Sequence, residues 1–127
     1  MESEDLKFNE DHIWVKVSAK KGKIGISDYA QSELGEILFI DLPIVGDTIE
    51  KDEPFGEVES SKTVSEIIAP VSGTIIGVNE ELETNPSIVN DDPYGEGWLI
   101  EVELTKPGEL DSLLDLGEYE RFVEEQR

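Results

Sequence analysis

The chain has 127 residues, of which 31 are acidic and ten basic, for a formal net charge of −21. That length suits one domain with a real core, and a hydrophobic share of 37% in well-patterned runs argues against disorder. Such an acidic field repels nucleic acid and anionic membranes and steers the protein toward basic patches on partners; the plain alternative is that it only keeps the protein in solution. Cysteine is absent, which excludes disulfides and thiolate metal sites, so any redox chemistry needs an imported group. Met1-Glu2-Ser3-Glu4-Asp5 has neither a basic start nor an apolar run, against a secretory signal or transit peptide, and no apolar stretch reaches membrane-spanning length. A cytoplasmic protein is expected.

Residues 1–10 read as frayed except for Phe8. Ile13, Val15 and Val17 alternate with Trp14, Lys16 and Ser18, a strand with one buried face. Lys20-Lys21-Gly22 turns it into a second strand with Ile24 and Ile26; the basic cluster at residues 16–23 reads as a solvated turn. Ser27 is placed to cap a short helix to about Leu34, with Asp28 in its first turn, Gly35 as its stop, and Tyr29, Ala30 and Leu34 on its apolar side. Glu36-Ile37-Leu38-Phe39-Ile40-Asp41-Leu42 is nearly continuous in apolar residues and is expected to be the most buried strand, ended by Pro43.

Gly46-Asp47 makes a turn before a short strand at Thr48 and Ile49, and Lys51-Asp52 makes another. A strand follows Ser72-Gly73, and the turn-plus-strand units beginning at Gly46 and Gly73 resemble each other weakly. Residues 79–97 read mainly as loop, with a helical turn near Ser87-Ile88-Val89-Asn90 and dense turn chemistry from Asp92 to Gly97. Trp98, Ile100, Val102 and Leu104 alternate with Leu99, Glu101 and Glu103 in the clearest strand. Past Pro107-Gly108, Leu110, Leu113 and Leu114, then Tyr119, Phe122 and Val123, recur at helical spacing. The chain thus reads as a single domain, mainly β, with a core over about 8–104 and an acidic helical tail over about 108–125: an antiparallel sandwich or barrel with helical decoration.

The stretch Phe55 to Val71 organises this pattern. Val58 on one side and Val64, Ile67 and Ile68 on the other flank Ser60-Ser61-Lys62-Thr63, a break of small or polar residues holding one cation. A reversal there holds Lys62 in water at a hairpin tip. Glu57, Glu59 and Glu66 nearby favour its charged form, which disfavours a self-activated nucleophile and suits a lysine that another enzyme acylates. The bland reading is a solvated turn lysine. Enzymatic constellations fail: His12 is the single histidine, no Gly-x-Ser-x-Gly elbow is present, and Gly95-Glu96-Gly97 lacks the lysine of a phosphate loop.

With Lys62 placed, the chain is similar to the H proteins of the glycine cleavage system. The matching segments include His12 with Trp14 and Val15; Gly25-Ile26-Ser27-Asp28-Tyr29-Ala30-Gln31; Leu34-Gly35-Glu36; Leu42-Pro43; Glu59-Ser60 with Lys62; Pro70-Val71-Ser72-Gly73; and Asn90-Asp91-Asp92-Pro93-Tyr94-Gly95-Glu96-Gly97-Trp98. The resemblance implies a barrel-sandwich hybrid fold, the β-sandwich of lipoyl and biotinyl carriers, and lipoic acid in amide linkage to Lys62. It implies a non-catalytic carrier of glycine catabolism and one-carbon metabolism. Its partners would be a PLP-dependent glycine decarboxylase (P protein) that loads an aminomethyl group, an aminomethyltransferase (T protein) that passes the carbon to tetrahydrofolate, and a dihydrolipoamide dehydrogenase (L protein) that reoxidises the dithiol. A lipoate ligase or octanoyltransferase would install the group.

Biotin carriers flank their lysine with methionine, and lipoyl domains of 2-oxoacid dehydrogenases place Asp before it; Ser61 and Thr63 match neither. Around the arm, Glu59, Ser60, Ser61, Thr63 and Glu66 are expected to present the tip, and His12 and Trp14 to support the fold near it. Two positions depart from the family. Ile13 stands where it commonly has Glu, a carboxylate that helps to hold the loaded arm, and Ser61 replaces Val or Thr. Ile13 leaves an alternative open: an H-protein-like lipoate carrier for another pathway, such as heterodisulfide-reductase-like sulfur oxidation.

Overall fold

The computed structural model describes residues 6–126, so the reading of the extreme N-terminus lies outside the described residues. Two antiparallel sheets face each other. The larger has the order β1 (Leu6–Phe8), β2 (Ile13–Ser18), β3 (Lys21–Ile26), β9 (Ile100–Leu104), β8 (Gly73–Val78) and β5 (Thr48–Ile49); the smaller runs β4 (Ile37–Asp41), β6 (Pro54–Ser60) and β7 (Val64–Ile68). Ile13, Val15, Ile24, Ile26, Ile75, Ile100 and Val102 from the first meet Ile37, Ile40, Val58 and Ile67 from the second in one buried cluster. Each such side chain removed from water stabilises the fold by about 1.5–3 kcal/mol before entropy is counted.

A second cluster lies on the other side of the larger sheet. Leu6, Phe8 and Trp14 are buried there under Tyr119 and Val123 of helix α3 (Leu116–Gln126), with Phe8 stacked on Tyr119 at 4.1 Å. Strand β2 is therefore buried on both faces at its start, which corrects the expectation of one buried face. Trp14 Nε1 donates to the carbonyls of Ile26 (2.9 Å) and Pro93 (3.0 Å), and its ring fills the space over Gly25, where a Cβ would come within 2.6 Å of it. Strand β1 also corrects the frayed reading of residues 6–10: it pairs with β2, and its Phe8 exchanges backbone hydrogen bonds with Leu114 at 2.8 Å each way.

Other boundaries shift for local reasons. The β2–β3 turn sits at Ala19-Lys20, with Ala19 at φ +57°, so Lys21 and Gly22 belong to β3. Strand β9 starts at Ile100, and Leu99 is buried beside it, breaking the expected alternation. The segment 79–97 holds a 3-10 turn at Glu80–Glu83 as well as the short helix α2 (Ile88–Asp91). Leu110 lies on a separate 3-10 turn, Pro107–Ser112, with Leu113 and Leu114 just past its end; Glu109 ties this turn to the start of β8 by accepting from Ser72 N–H (2.7 Å) and Ser72 Oγ (2.8 Å).

Strand β4 is not the most buried strand. It forms an edge of the smaller sheet, and Leu38 and Phe39 are 50% and 56% exposed. A bulge between Ile37 and Phe39 breaks the two-residue period, so Ile37 and Ile40 face the core while the two residues between them face outward. An apolar run in sequence does not distinguish burial on two faces from apolar residues displayed at an edge.

Candidate functional site

The β6–β7 hairpin places Lys62 at its summit, exposed to solvent. Ser60 makes the turn. Its buried Oγ accepts from the backbone N–H of Lys62 (3.1 Å) and of Thr63 (3.2 Å), while Ser60 N–H donates to the Thr63 carbonyl at 2.8 Å. A serine hydroxyl thus ties the turn by accepting from two of its backbone amides. Ser61 N–H donates outside the hairpin, to the Glu36 carbonyl at 3.0 Å. The stem of Lys62 lies on Gly35: its Cε is 3.3 Å from the point where a Cβ would stand. Gly35 ends helix α1 (Asp28–Leu34) at φ +81° and ψ −154°, a region open to glycine alone. Helix α1 itself starts as expected, with Ser27 Oγ accepting from Ala30 N–H at 3.1 Å.

Below the tip, the outer face of the smaller sheet is acidic and partly apolar. Cross-strand neighbours set Phe39, Glu59 and Val64 in one row and Asp41, Glu57 and Glu66 in the next, all exposed. Carboxylates directly opposite one another destabilise a sheet, and among the described residues none of these three is in an ion pair.

On the inner side of β7 a cleft of about 290 Å³ opens between the sheets beside α1. Ile13, Ile26, Ala30, Leu34, Val58 and Ile67 give it apolar walls; Asp11 and Glu33 give it carboxylates, and Glu66, whose side chain belongs to the outer face, borders it along β7. His12, Tyr29 and Ser65 complete the lining, the two rings 4.9 Å apart. His12 sits at φ +69° at the end of a turn built by Asn9, whose Oδ1 accepts from Asp11 N–H (2.9 Å) and Ile13 N–H (3.0 Å). Burial lowers the His12 pKa from its ordinary value, against the raising influence of Asp11 and Glu33.

His12 Nδ1 is 2.8 Å from the hydroxyl of Tyr119, which in turn is 2.7 Å from Ser27 Oγ. Burial raises the Tyr119 pKa to about 12, so this hydroxyl keeps its proton across the physiological range. The chain Ser27–Tyr119–His12 couples the cap of α1, the C-terminal helix and the cleft wall. Trp14 is elsewhere, in the second cluster under α3, and does not line the cleft.

The structure therefore gathers Glu59, Ser60, Ser61, Thr63 and Glu66 on the hairpin with Lys62, and His12 on the cleft below. Sequence reading missed Asp11, Glu33 and Tyr29 in the cleft, Gly35 under the lysine stem, and Asn90, whose Nδ2 donates to the Gly35 carbonyl at 2.9 Å. The helical spacing of α1 could have placed Tyr29 and Glu33 together; the others depend on contacts between remote segments. Chemically the site offers a solvent-facing amine on a braced tip and a half-apolar cleft rimmed with carboxylates.

The family model described as Glycine cleavage H-protein matches residues 6–126. The glycine cleavage system H protein of Halalkalibacterium halodurans is 52% identical over 122 residues, 96% of this chain and 95% of that one. The one from Brevibacillus brevis is 53% identical over 121 residues, 95% of this chain and 96% of that one. In structure the chain is similar to the crystal structure of a glycine cleavage system H protein from Mycobacterium marinum, with a TM-score of 0.84 and 39% identity, covering 91% of this chain and 94% of that one.

Proposed function

The chain belongs to the glycine cleavage H-protein family, and from that premise we propose that Lys62 is the residue on which it carries lipoate. An H protein is the lipoyl carrier of the glycine cleavage system and shuttles between that system's enzymes without catalysing a step itself. A lipoyl group supplies a dithiolane that accepts electrons and a carried group, the chemistry that a chain without cysteine lacks. The observation that carries the assignment is the summit position of Lys62 on a turn held by Ser60.

The residues fit an amide-linked arm. The ε-amine stands outside the fold, so a modifying enzyme reaches it without unfolding anything, and an arm attached there can sweep toward several active sites. The Ser60 turn and the Gly35 seat fix where it starts. The cleft gives apolar walls to a hydrocarbon arm turned back on the protein, while Asp11 and Glu33 attract a cationic load. Ile13 does place an isoleucine where the family commonly has a carboxylate, but Asp11 and Glu33 line the same cleft, so the departure leaves it acidic.

The partners are a lipoate ligase or octanoyltransferase, then the decarboxylase, the aminomethyltransferase and the dihydrolipoamide dehydrogenase, all in the cytoplasm. They approach the tip and the face bearing Asp41, Glu57, Glu59 and Glu66. Lipoylated wild-type protein should support glycine-dependent exchange of carbon dioxide by the decarboxylase, and Lys62→Arg treated identically should support none. Exchange by the arginine variant at the wild-type rate would remove Lys62 from the account, and no exchange by lipoylated wild type would point to another pathway.

A further inference from the structure

The hairpin tip is docked, and one remote side chain holds its dock. Asn90 of α2 donates to the Gly35 carbonyl at 2.9 Å and to Gln31 Oε1 at 2.9 Å, and its Oδ1 accepts from Ile37 N–H at 3.0 Å. It therefore grips the α1–β4 turn on both sides, at the carbonyl before Glu36 and at the amide after it. The same turn offers the Glu36 carbonyl to Ser61 N–H and the bare backbone of Gly35 to the Lys62 stem. Both N–H donors of Asn90 Nδ2 and its Oδ1 acceptor are used; an aspartate in its place keeps the acceptor and sets a carboxylate oxygen against two oxygens.

We propose that Asn90 is a positioning residue for the modification of Lys62, acting through the Gly35-Glu36 turn. With the turn braced, the tip occupies one place and the modifying enzyme meets the lysine there. Once the brace is lost, Ser61 N–H has no fixed acceptor and the lysine is presented only part of the time. Apparent affinity then falls in proportion to the docked fraction, while the chemical step, once the complex forms, is unchanged. The inference rests on Lys62 being the lipoyl site.

The test uses full-length apoprotein as wild type, Asn90→Ala and the near-isosteric Asn90→Asp, with a lipoate ligase, ATP and lipoate. Modification is followed by intact mass, and amide hydrogen exchange is read at Ser61. Both variants should raise the KM for the carrier about ten-fold with kcat within about two-fold, as expected for a reduced competent fraction. Ser61 should lose protection while the amides of β9 keep theirs, which separates a loosened tip from a loosened fold; Asn90→Asp serves if Asn90→Ala does not fold. A KM within two-fold of wild type with Ser61 still protected overturns the proposal. A kcat that falls with KM unchanged overturns it too. Wild type that takes no lipoate at Lys62 overturns the lipoyl assignment and this inference together, and the Ser61 exchange then still reports whether Asn90 docks the tip.

Discussion

Tyr119 ties three parts of the molecule together through one hydroxyl, which lies within hydrogen-bond distance of both His12 Nδ1 and Ser27 Oγ. Tyr119→Phe keeps the stack on Phe8 and should cost about 1–2 kcal/mol in urea unfolding, since it takes one hydrogen-bond partner from buried Ser27 and one from partly buried His12; no loss would mean the hydroxyl is idle. His12 adds a pH dependence. Its folded-state pKa lies below 6.5, chiefly through burial, so the unfolded chain binds this proton more readily. Its contribution is complete above pH 6.5 and is lost as pH falls from there through the folded-state value. Wild-type stability should therefore drop more steeply than that of His12→Gln on acidification below 6.5, and parallel curves would refute this. The Ser27 cap was legible because the signal is local: a serine three residues ahead of the amide that it accepts from. The His12–Tyr119 pair, 107 residues apart, has no local trace.

Among the elements, the hairpin was legible and β4 was not, for related reasons. In β6–β7, β-branched residues bracket a short polar break, and both the turn and its lysine follow from residues within a few positions of each other. In β4 the apolar run was real, but its register was set by a bulge that only the pairing with β6 reveals. This register is testable. Ile40→Ala should cost about 2–5 kcal/mol as a core truncation, whereas Phe39→Ala should stay within about 0.5 kcal/mol as a surface change. Equal costs in chemical denaturation would contradict the bulge. Trp14 makes the same point in β2. The alternation of that strand assigned one face to the core, and only the packing of α3 on the far side makes the other face a core as well.

For the whole molecule, composition already indicated an acidic, cysteine-free chain in which any redox chemistry needs an imported group, and the acidity stands in the structure as a face of carboxylates below an exposed lysine. What composition did not show is where the charge matters. The row Asp41–Glu57–Glu66 sets like charges opposite one another at a cost in stability, which suits a surface kept for a basic partner. Exchange with the decarboxylase should therefore slow as salt rises, and Glu57→Gln should flatten that slope; a salt-independent rate would leave the acidity to solubility alone. The most direct measurement of the central claim is peptide mapping of protein lipoylated by a ligase. The account predicts the lipoyl group on Lys62 and no mass gain in Lys62→Arg. Lipoate on any other lysine, or Lys62 found bare in modified protein, would contradict it.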